Sequence, residues 1–122
     1  MIVLLIAVAV ATAAPTPRWT ALHAADYQVR VPAGQTVAVA FPAPARLVGA
    51  DRPVTFTWRI IRPVPAPNFV ILEHCAQPER CYPTVMRPTG ESSGSLSTPF
   101  RVINRSRLDI EVLFRYTIWE TR

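Results

Sequence analysis

The residues able to do chemistry are few, and the cysteines come first. Cys75 and Cys81 are the only two, separated by Ala-Gln-Pro-Glu-Arg, with Pro78 favouring a turn between them. Two thiols are too few for a tetrahedral thiolate zinc site but enough for one disulfide. Closing so short a ring contributes about 2 kcal/mol in the chain-entropy picture, less any strain. A redox-active pair is the sharper alternative, although such pairs usually have two intervening residues at a helix start. Free thiols are the third reading, and a structural disulfide is the expectation.

Two histidines exist, His23 and His74. His74 beside Cys75 suggests a metal-ligand pair, but an oxidised Cys75 offers no thiolate. His23 with Asp26 and one of Ser92, Ser93 or Ser95 suggests a hydrolytic triad, yet no G-x-S-x-G elbow accompanies it. Asp109 and Glu111 share one face of a strand and are expected to pair with arginines rather than to form an acid–base couple. No catalytic residue, metal or cofactor is therefore expected.

Trp119 stands out on the last apolar run. It falls opposite that run's apolar face, with Leu113 on its own side. Either both faces of the strand are buried, which is the simpler reading, or an aromatic patch is exposed. A partly exposed Trp119 beside Arg115 and Arg122 would suit a protein-binding anchor.

These side chains must be positioned by strands. From Tyr27 onward the hydrophobic period is two. Tyr27, Val29 and Val31 share a face, and Pro32-Ala33-Gly34-Gln35 has the residues of a type II turn. Thr36 to Phe41 is a second strand. Val54, Phe56, Trp58 and Ile60 alternate cleanly with Thr55, Thr57 and Arg59, as in a central strand with Trp58 in the core. Arg62 to Asn68, with Pro63, Pro65 and Pro67, should run extended without joining a ladder. Phe69 to Cys75 leads into the cysteine hairpin, and Cys81 begins the return. Thr89 to Ser95, TGESSGS, reads as a polar loop. Phe100 to Ile103 is a short strand, and Asn104-Arg105-Ser106-Arg107 a turn. Leu108, Ile110, Val112, Phe114, Tyr116 and Ile118 form the longest apolar face. Thr20 to Asp26 has room for one helical turn. Frequent turns between short alternating runs predict an all-β fold, a small antiparallel β-sandwich of immunoglobulin-like type.

Composition sets the limits. The chain has 122 residues, half of them hydrophobic and 17% charged, too apolar for a disordered protein. All 13 basic residues are arginine and the formal charge is +5. Arg59 with Arg62, and Arg101 with Arg105 and Arg107, invite a nucleic-acid reading, but acids are interspersed and no basic run occurs. Nucleic acid is not an expected partner; an acidic protein surface or anionic headgroups are the alternatives to plain solvated arginine. Met1 to Ala14 reads MIVLLIAVAVATAA, apolar from Ile2 to Ala11 and closing on the small-x-small Ala11-Thr12-Ala13. It is too short to span a bilayer and reads as a signal peptide, residues 1–13, cut before Ala14. Residues 14–122 then form one exported domain, with no stable membrane span after cleavage.

Taken in order, Trp19, Trp58-Arg59 within a central strand, the proline linker into Phe69 to Leu72, the cysteine pair with Arg80, and Thr89-Gly90 before a polar stretch resemble the FlhE family. These are small exported proteins of Gram-negative flagellar systems, and the resemblance covers Trp19 to about Ser95. The turn at Asn104 to Arg107 and the cysteine spacing depart from the family pattern. The resemblance implies a periplasmic accessory factor of flagellar assembly without catalytic activity. Such a factor is a chaperone-like guard that keeps exported flagellar subunits from polymerising and the export gate from leaking protons, with flagellar export or structural proteins as partners. The competing readings are a pilus-type chaperone or adhesin subunit, an inhibitor presenting the Cys75 to Cys81 hairpin, and a small hydrolase.

Overall fold

The computed structural model describes residues 18–77 and 80–121. The expected signal segment 1–13, its cut before Ala14, Pro78 and Arg122 lie outside the described residues. Eight strands follow one another: β1 (Trp19–Val31), β2 (Thr36–Val39), β3 (Pro53–Arg62), β4 (Val70–Gln77), β5 (Arg80–Val85), β6 (Thr89–Ser95), β7 (Phe100–Asn104) and β8 (Ile110–Thr121). They form two antiparallel four-stranded sheets, ordered β1-β8-β3-β6 and β2-β7-β4-β5. The small β-sandwich is as expected, but its winding is not. An immunoglobulin sandwich keeps its first two strands in one sheet, whereas here every connection except β4 to β5 crosses between sheets. Eight strands wound this way are a jelly roll.

The period-two pattern fixes which face each strand buries. Val54, Phe56, Trp58 and Ile60 of β3 and Ile110, Val112, Phe114, Tyr116 and Ile118 of β8 face Val70, Leu72, Phe100 and Val102 of the other sheet, all of them buried. Phe41, just past β2, inserts among four of these rings, stacking on Tyr116 at 4.7 Å and lying 5.0 Å from Phe56. Burial pushes the Tyr116 hydroxyl's pKa up, and that hydroxyl donates to the Pro42 carbonyl. At the opposite end Asn104, fully buried, ties the chain together. Its Nδ2 donates to the carbonyls of Val31 (3.0 Å) and Leu108 (2.7 Å), and its Oδ1 accepts from the Ser106 N–H and hydroxyl. Gly34 takes φ +73°, as the third position of a type II turn requires, and the turn closes with Gln35 N–H donating to Pro32 O.

Three expectations are corrected. Thr20 to Asp26 is no helical turn; it belongs to β1, whose ladder with β8 starts at Trp19 opposite Thr121. The ready-made edge of β8 outweighs the weak helical preference of an alanine-rich stretch. TGESSGS is not a loop but β6, paired to β3 along its length. Gly90 lies under the Trp58 indole and Gly94 under Phe100, so a side chain at either would collide with a ring. Leu108 is half exposed and precedes β8 rather than sharing its buried face. The proline linker is as expected only in part: Arg62 belongs to β3 and pairs with Glu111, while residues 63–68 pass from sheet to sheet outside any ladder but bend rather than run extended, with cis bonds at Arg62-Pro63 and Val64-Pro65.

Candidate functional site

The outer face of the β1-β8-β3-β6 sheet carries the residues singled out for binding. Alternation along β8 sends Glu111, Leu113, Arg115, Thr117 and Trp119 outward while their neighbours fill the core. Trp119 is therefore not a core residue. Because the first and last strands pair, Trp19 of β1 comes beside it, with ring centroids 6.3 Å apart in a T-shaped contact. An aromatic pair in this geometry adds about 0.5–1.5 kcal/mol beyond its burial. The Trp119 indole N–H donates to Thr55 Oγ1 at 2.8 Å, fixing the ring on β3, while Trp19 keeps 55% of its surface exposed.

Next to this pair runs a row of cross-strand neighbours, Ala24, Thr117, Thr55 and Ser93, one from each strand. The row beyond it holds Asp26, Arg115, Thr57 and Glu91. Together they line a shallow depression of about 810 Å³. Arg115 Nε lies 3.5 Å from Asp26 Oδ1, and both side chains are largely exposed. A pair of that kind contributes little to stability, which leaves its charges free to meet a partner. The face thus combines a rigid aromatic corner with exposed hydrogen-bonding groups, the ingredients of a protein-binding surface.

The other candidates are dispersed. His23 and Asp26 lie three residues apart on β1 and so on opposite faces: His23 turns inward, 6.0 Å from the Tyr116 ring, whereas Asp26 pairs with Arg115 outside. Ser93 is outward, Ser92 points toward the interior, and Ser95 bonds Thr98 in the following turn. The sheet itself separates the imagined triad. His74 faces inward against Phe100, with centroids 5.0 Å apart, and so lies on the other face from Cys75. Cys75 and Cys81 sit opposite one another on β4 and β5 and form the disulfide. Glu73, Cys75 and Cys81 bring their ligand atoms within 4.8 Å. The sulfurs are bonded to each other, however, and the Arg101 guanidinium contacts Glu73 and lies 3.7 Å from Cys75 Sγ. A positive group at that point opposes a cation.

Asp109 and Glu111 pair with arginines as expected, Asp109 with Arg30 at 2.8 Å and Glu111 with Arg62 at 3.5 Å. The Ala33 N–H, and then Arg30, hold the Asp109 carboxyl below the ordinary aspartate range. What the sequence did not disclose is the partnership of Trp19 with Trp119. Both were visible as tryptophans near the ends of the strand region, but only the pairing of first and last strands brings them together. The chain matches no protein-family model and no curated protein.

Proposed function

We propose that this protein is a periplasmic accessory factor of flagellar assembly that acts by stoichiometric binding, a chaperone-like guard of exported subunits and of the export apparatus. Its contact surface is the outer face of the β1-β8-β3-β6 sheet, anchored by Trp119 and Arg115. The observation that carries the binding role is the Trp19–Trp119 pair, held at the sheet surface with Trp19 more than half exposed. Aromatic anchors of this kind dominate protein interfaces. The flagellar context rests on the resemblance carried by Trp19, Trp58-Arg59 and the Cys75 to Cys81 hairpin, and the leader-like Met1 to Ala14 supports export to the periplasm.

In an organism that builds flagella, deleting the gene should leave growth intact while filaments form in the periplasm or swimming declines. Protein carrying His23→Ala or His74→Ala should restore the parental state, because neither imidazole does chemistry. Folded Trp119→Ala protein should not restore it. Flagella and motility indistinguishable from the parent, by electron microscopy and swimming assay, would remove the flagellar reading. Failure of a well-folded histidine variant to complement would put a hydrolase ahead of it.

A further inference from the structure

A second surface lies on the other sheet, at the end where the chain crosses between layers. The crossing after β5 is tied there to the start of β4 and to β3: the Met86 N–H donates to Val70 O, and the Ile60 N–H to Pro88 O. Between that crossing and the one before β4 is a groove of about 600 Å³ lined by Ala66, Pro67, Phe69, Ile71, Val85 and Pro88. Phe69 and Val85 are each 70% exposed. Neither is held there by the core, and contiguous apolar side chains left in water mark an interaction site.

Phe69 is also the only non-glycine among the described residues with positive φ, +67°. A bulky residue seldom adopts that conformation, and strain of this kind persists where the surroundings enforce it. Here the Phe69 carbonyl accepts from the Arg105 N–H at 2.9 Å, which holds the backbone while the ring projects outward. The charge at the groove has one sign. Arg87 lines it and Arg105 adjoins its rim through its backbone bond to Phe69; both are exposed, and neither makes an ion pair among the described residues. Among the described residues, no acidic side chain lines it.

We propose that this groove docks an extended apolar peptide segment of a partner protein whose alternate side chains are acidic. Phe69, Ile71 and Val85 take the apolar side chains, and Arg87 and Arg105 meet the carboxylates. Pro83 removes one backbone donor from β5, so recognition relies on side chains more than on an added ladder. The site is independent of the Trp119 face, which belongs to the other sheet.

Fluorescence anisotropy of the folded protein against two short labelled peptides, one alternating leucine with glutamate and one alternating leucine with lysine, tests this. The glutamate peptide should bind saturably and more weakly as salt rises, and the lysine peptide should not bind. Phe69→Gly should weaken binding by at least about tenfold while the melting temperature holds or rises, since glycine takes the positive φ without steric strain, which offsets its greater freedom in the unfolded chain. Val85→Ser, on an exposed strand edge, should weaken it likewise, and Arg87→Gln with Arg105→Gln should flatten the salt dependence. Absence of saturable binding, equal binding of the lysine peptide, or unchanged affinity in both Phe69→Gly and Val85→Ser would overturn the proposal. So would sedimentation showing a dimer of this chain that either substitution dissolves, because the groove would then seat a second copy.

Discussion

At the scale of single residues, Asn104 is the one buried polar side chain among the described residues. It is fully buried, and its one amide satisfies carbonyls on the β1 and β8 sides and two donors of Ser106. Asn104→Ala should cost about 2–3 kcal/mol, because the partners left behind lose their bonds in a place water reaches poorly; urea unfolding measures it. Asp109 makes a smaller, pH-dependent contribution. Its carboxyl is held below the ordinary range by the Ala33 N–H and by Arg30. A depressed pKa stabilises the fold above the unfolded-state value and loses that effect as pH falls through the folded one. Wild type should therefore exceed Asp109→Asn in urea midpoint at neutral pH, and the two should converge below the ordinary aspartate range. A gap that stays constant across that range would assign the difference to packing rather than to charge.

At the scale of elements, β6 is the instructive case. Thr89 to Ser95 carries no large apolar residue and two glycines, so its composition resembles a loop. Its inner positions are small because the rings of Trp58 and Phe100 occupy the space in front of them. A strand whose partner supplies the bulk shows no hydrophobic alternation of its own. Gly90→Ala should destabilise by about 1–3 kcal/mol, since the added methyl must displace the Trp58 ring. Thermal melts of Gly90→Ala beside Ser93→Ala, which is outward facing, would separate crowding from an effect on strand formation. The strands that fill the core with their own side chains, β3 and β8 above all, were legible from alternation, as were the Gly34 turn and the cysteine hairpin. Thr20 to Asp26 was not, because the partner that makes it a strand lies at the far end of the chain.

At the scale of the whole molecule, alternation says which side of a strand is buried but not which strand lies next to it. That is why the sandwich could be read from the sequence and its jelly-roll winding could not. The same gap hid the candidate site: Trp119 and Arg115 were identifiable, but Trp19, Thr55 and Asp26 reach them only through the β1-β8-β3 order. Under the proposed function the binding face acts in proportion to its amount. The most direct measurement is seeded polymerisation of purified flagellar filament subunit, followed by light scattering, with increasing amounts of this protein. Elongation should fall in proportion and stop near equimolar protein, and Trp119→Ala of unchanged melting temperature should have little effect. Elongation untouched by the wild-type protein, or halted by trace amounts as a turning-over enzyme would do, would contradict it.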